Sequence, residues 1–69
     1  LNTLGDELPK EQARVRALIV QYRDPILHGA GEIAARMMEA SLQAADKAVI
    51  SGDVVAMISA HKDLQGYTS

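Results

Sequence analysis

From Pro9 onward the chain places Ala13, Val15, Leu18, Ile19 and Tyr22 at spacings of three and four, with Lys10, Glu11, Arg14, Arg16 and Arg23 on the other side. This period predicts an amphipathic helix over residues 9–23, with Pro9 suited to its first position. Residues 1–8, which contain Gly5 and the acidic pair Asp6 and Glu7, read as a lead-in. The residue before a proline is pushed out of the α region, so Asp24-Pro25 ends or kinks the first helix near Arg23. The stretch 24–31 has two readings. Asp24 could cap a new helix with Pro25 at its first position, yet Gly29 and Gly31 would each weaken that helix by about 1 kcal/mol. It is read as a bend or a short helix.

The apolar pattern resumes over 32–51 and is wider there. Ile33, Met37, Ala40, Ala44 and Ala48 make one stripe, beside a second of Met38, Leu42, Ala45 and Val49. Two stripes exceed what one small neighbouring helix covers. The pattern stops at Gly52, and Asp53, a good N-cap, opens a third helix over 54–65. That helix carries Val54, Met57, Ile58, His61 and Leu64 at helical spacing. Gly66 fits a C-cap glycine, with Tyr67 placed to make the apolar contact that often closes such an end. The expected architecture is all-α, a single small domain over residues 1–69, built as helix, bend and αα-hairpin.

Composition adds a constraint on how such a domain is stabilised. Sixty-nine residues bury only ~60% of their unfolded surface, and the usual staples are missing, because the chain has no cysteine. Phe and Trp are also absent, so Tyr22 and Tyr67 are the only aromatics and the core falls to Leu, Ile, Val, Met and Ala. A thin core in a chain that is 48% apolar points to a core shared with a second copy or another protein. The expected interface is Ile33, Met37, Met38, Leu42, Val49, Met57 and His61, with the adaptable methionines as its strongest hint. The competing reading places those methionines in an aromatic-free core.

Seven Lys and Arg stand against nine Asp and Glu, a net charge of −2 with both signs interspersed. This argues against nucleic-acid binding, which depends on clustered cations at phosphates, and against an acidic mimic of DNA. Arg14, Arg16 and Arg23 are read as a solvated face paired with Glu11 and Asp24. No apolar run approaches the ~18 residues of a membrane span, and the amino end lacks a signal-peptide layout, which together suggest a cytoplasmic protein without membrane contact. The chain begins at Leu1 rather than Met, leaving room for a native start and targeting information upstream.

Several motifs invite chemistry and fall short of it. Ala48, Gly52 and Ile58 satisfy the spacing of a DNA-binding helix-turn-helix. The would-be recognition helix, however, offers Ala56, Ser59, Ala60 and His61 with only Lys62 as a cation, where base edges and phosphates call for Arg, Lys, Asn or Gln. Gly29-Ala30-Gly31-Glu32-Ile33-Ala34 matches a dinucleotide-binding pattern, but that pattern has meaning only behind a strand in a βαβ unit. His28 with Glu32, and His61 with Asp63, fall short of the three or four ligands of a zinc site. Ser41, Ser51 and Ser59 lack any sign of an activating base, and so short a chain has little bulk for a deep pocket. No catalytic, cofactor-binding or metal-binding residue is assigned, and an enzyme is not expected.

The stretches Glu7-Leu8-Pro9-Lys10-Glu11-Gln12-Ala13-Arg14-Val15-Arg16 and Ala45-Asp46-Lys47-Ala48-Val49-Ile50-Ser51-Gly52-Asp53-Val54-Val55-Ala56-Met57-Ile58 resemble small uncharacterised helical proteins of proteobacterial phages and prophages. The resemblance covers most of the chain and brings no functional residues with it. It implies a cytoplasmic protein of an infected or lysogenic bacterium that binds a host or phage protein. From the residues themselves the expected function is a homo-oligomeric protein–protein interaction module. The alternatives are a small dimeric helix-turn-helix regulator and a structural or assembly subunit.

Overall fold

A computed structural model describes residues 3–68. These form helix α1 (Leu4–Tyr22), a short 3-10 turn (Pro25–Leu27), helix α2 (Glu32–Ser51) and helix α3 (Val54–Gln65). The fold is all-helical, with no strand among the described residues. Each helix packs on the other two, within overall extents of 39 × 23 × 16 Å.

The first helix begins five residues earlier than its polar pattern suggests. Thr3, in extended conformation, is the N-cap, and its carbonyl accepts from the N–H groups of Asp6 and Glu7 at 3.0 and 2.8 Å. Its hydroxyl donates to the Asp6 carboxylate at 2.9 Å. Pro9 therefore lies inside α1, where it removes the ladder bond to the Gly5 carbonyl. The turn before it persists because Leu8 is fully buried and Leu4 packs on the core. Most of the expected lead-in is thus helix; Leu1 and Asn2 lie outside the described residues.

The bend between α1 and α2 combines both of its readings. The Asp24 carboxylate accepts from the Ile26 N–H at 2.9 Å and caps a single 3-10 turn, with Pro25 at its start. His28 and Gly29 then take positive φ values of 51° and 82°, which reverse the chain. Gly31 is buried against the end of α1: a Cβ there would lie 2.1 Å from the Tyr22 carbonyl oxygen. Only glycine permits that approach.

The α2–α3 turn is two residues long. Gly52, at φ 69°, donates to the Val49 carbonyl and Asp53 donates to the Ala48 carbonyl, each at 3.2 Å, which is a Schellman closure. Asp53 then turns capping residue for α3, its carboxylate accepting from the Ala56 N–H at 3.1 Å. The Ser41 and Tyr67 hydroxyls meet at 2.8 Å, so α3 runs back along α2.

The core is closed by one chain. Leu8, Val15 and Leu18 of α1 meet Met38, Leu42 and Ala45 of α2 and Ala60 and Leu64 of α3, with Ile19, Tyr22, Met57 and Tyr67 packed around them. The three from α2 belong to a buried stripe that also includes Ala35 and Ala48. Met38 and Leu42, expected in a core shared between copies, are 2% and 6% exposed within a single chain. The two other helices already cover them.

Candidate interaction surface

Two parts of the surface are finished by side chains of the chain itself. Along the α1–α2 seam, Asp46 accepts from Gln12 at 2.8 Å and from Arg16 at 3.1 Å, and Arg23 bridges Glu32 at 3.1 Å while also donating to Glu39. Arg36 adds a second bond to Glu32 at 3.2 Å. These partners set the antiparallel register, residues 12–23 running against 46–32. Hydrogen bonds from Arg23, and then from Arg36, hold the Glu32 carboxyl below its ordinary range. Hydrogen bonds to Glu39 and then Glu32 raise Arg23 further above an already high value, so it stays a cation throughout.

The second finished part is the end of α3. Gly66 adopts a right-handed conformation there, not the left-handed one that the C-cap reading implies. Backbone bonds from Gly66 to the Asp63 carbonyl at 3.1 Å and from Tyr67 to the Leu64 carbonyl at 3.2 Å tighten the last turn, and further closing bonds come from α1. Arg14 donates from Nη1 to the Tyr67 carbonyl at 2.7 Å and from Nη2 to the Leu64 carbonyl at 2.8 Å, while its Nε donates to Glu11 at 2.9 Å. A cation set against the last carbonyls of a helix complements both their unmet acceptors and the negative end of the helix dipole. The Tyr22 hydroxyl donates to the Thr68 carbonyl at 2.8 Å and pins the segment beyond. The arginine face is therefore structural. Arg14 is a half-buried clamp rather than a solvated residue, and Arg23 pairs with Glu32 and Glu39 rather than with Asp24.

The hairpin end is unlike either. Val49, Ile50, Val54, Val55 and Ile58 are all exposed, Ile50 and Val55 to 86% and 78%. Five large aliphatic side chains thus crowd within ten residues around the two-residue turn. Lys47 and Asp53 lie beside Ile50, and neither forms an ion pair among the described residues. Between α2 and α3, Ala44, Ala56, Ser59, Ala60 and Asp63 line an open, shallow groove that continues toward Lys47 and Ile50.

The seven expected interface residues divide across this map. Met38 and Leu42 are core; Met57 is half-buried and packs on it. Val49 belongs to the open hairpin end, whereas Ile33 and Met37 are exposed on α2 toward its other end. His61 is half-buried on α3, and its Nε2 atom is closed from solvent without a hydrogen-bond partner. The sequence reading missed Ile50, Val54, Val55 and Ile58 as surface. Their signal was present, since β-branched residues on both sides of a helical hairpin turn cannot all point inward.

The positions read for other chemistry lie apart. His28 is in the bend and His61 on α3, and no group of three or more His, Asp or Glu side chains is placed to hold a metal among the described residues. Gly29 and Gly31 belong to the bend and its close helix contact, with a 3-10 turn before them rather than a strand. No helix among the described residues is long and apolar enough to cross a membrane. No family model, curated protein or solved structure matches the chain.

Proposed function

We propose that this protein is a small helical protein–protein interaction module that works as a homo-oligomer. The observation that carries the reading is the cluster of five exposed aliphatic side chains at the α2–α3 hairpin, in a chain that has already closed its own core. Apolar surface of that kind is stabilised by removal from water, at ~25 cal/mol per Å². Contiguous patches of large aliphatic residues mark interaction sites on small proteins. The DNA-binding reading draws no such support. The outward side of α3 carries Val54, Val55, Ile58 and Ser59, with Lys62 as its one cation, too few polar side chains to read base edges or hold a phosphate backbone.

On the resemblance to phage and prophage proteins, the module operates in a bacterial cytoplasm, and a further partner would be a phage or host protein. The test is light scattering coupled to size exclusion across a dilution series, with helical circular dichroism at each concentration. A mass of two or more chains at high concentration is expected. A helical monomer at every concentration would contradict self-assembly.

A further inference from the structure

We infer that the segment 66–68 is a latch laid across the groove between α1 and α2, and that it opens and closes while the three helices stay folded. Helix lengths create the need for it. Whereas α2 has 20 residues, α3 has 12, so at ~1.5 Å per residue α3 spans ~18 Å against ~30 Å for α2. It leaves α2 at the hairpin turn and ends near Ser41, whose hydroxyl meets that of Tyr67 at 2.8 Å. Residues 32–40 of α2 and the last turns of α1 therefore have no third helix beside them. Leu18 and Met38 belong to this end and are nevertheless buried. Tyr67 packs on the core cluster that contains them, so the tail takes the place of the missing turns of α3.

Side chains of α1 and α2 hold the tail in place. Arg14 donates to the Tyr67 carbonyl at 2.7 Å, the Tyr22 hydroxyl donates to the Thr68 carbonyl at 2.8 Å, and Ser41 shares a bond with the Tyr67 hydroxyl. Arg14 and Tyr22 stand on either side of Leu18 along α1, and Ser41 lies one turn from Met38, so the anchors bracket the two buried side chains. Tyr22 and Tyr67 are the only aromatics of the chain, and both serve this one segment. Beyond the Tyr67 N–H, which donates to the Leu64 carbonyl, Thr68 makes no backbone–backbone bond among the described residues. Release of the tail thus breaks three side-chain bonds and withdraws one ring from the core without touching a helical ladder. A segment with so few contacts opens at a lower free energy than the whole domain. The open state keeps its helices and exposes Leu18 and Met38.

Limited oxidation of the methionines by dilute hydrogen peroxide, located by tandem mass spectrometry, tests the latch with reporters the chain already carries. Met37 is exposed and sets the unhindered rate, Met38 is buried at the latched end, and Met57 is half-buried on α3. Tyr67→Ala is expected to raise the Met38 rate about tenfold, and Tyr22→Phe, which keeps its ring but loses the bond to Thr68, about threefold. Met37 and Met57 should stay within about twofold, with the helical circular dichroism unchanged. If Met38 and Met57 accelerate by the same factor, opening is unfolding of the whole core and the latch is wrong. An unchanged Met38 rate in folded Tyr67→Ala would equally overturn it, since the tail would then cover nothing. Should Tyr67→Ala lose its helical spectrum, the same comparison on Tyr22→Phe decides. Neither outcome depends on self-assembly.

Discussion

The α1–α2 seam and the α2–α3 hairpin end are made from the same helix and are finished in opposite ways. Along the seam, Asp46 takes donors from α1, and Glu39 and Glu32 take theirs from Arg23 at its C-cap, and the bond geometry fixes register. At the hairpin, Val49, Ile50, Val54, Val55 and Ile58 stand exposed to water. Polar groups on the seam are satisfied within one chain, so it needs nothing further. The hairpin end gains stability only when something covers it. The difference separates what holds the chain together from the apolar surface it leaves exposed.

That separation is sharpened first by Leu42→Asp, which puts a carboxylate among Val15, Leu18 and Leu64. With Leu42 buried, an unpaired charge there is expected to cost several kcal/mol and to unfold the protomer, removing the helical signal. A folded Leu42→Asp protein would mean that α1 and α3 do not close the core alone. Gly31→Ala comes next. Its methyl would lie 2.1 Å from the Tyr22 carbonyl oxygen, so the bend must open, at a cost of about 1–3 kcal/mol in urea unfolding.

Arg14→Ala tests the clamp on α3. Loss of charged bonds to the Leu64 and Tyr67 carbonyls is expected to cost about 1.5–3 kcal/mol, with the loss of protection in amide exchange concentrated at the end of α3. A change below about 0.5 kcal/mol would return Arg14 to the solvated face expected from its polar neighbours. Acid should act on the seam with a smaller effect. Because the Glu32 carboxyl is held below its ordinary value of 4.5, its contribution to stability is present above that pH and fades as pH falls beneath it. Glu32→Gln should remove that part of the acid dependence, read as melting temperature against pH.

How much of this was legible in the sequence follows from the range of each interaction. The end of α2 and the start of α3 are written locally. Gly52 supplies the left-handed residue, and Asp53 the cap, within two positions. The start of α1 depends on Leu4 and Leu8 packing against residues far along the chain, which outweighs the apparent stop at Pro9. Thr3 and Asp6 were the local clue. Arg14 reaches partners 50 and 53 residues away, beyond any periodicity argument. On α2 the pattern shows two apolar stripes without saying which faces inward. That choice belongs to the positions of α1 and α3, and it turned Met38 and Leu42 from interface into core while leaving Ile33 and Met37 outside.

The chain is complete along α1 and open at the hairpin. Backbone amide NMR spectra recorded over a dilution series test it residue by residue. The expected result is concentration-dependent shifts confined to about residues 47–62, with the amides of Gln12, Arg16, Arg23 and Glu32 unmoved. Shifts centred on the α1–α2 seam, or none at any concentration, would contradict it.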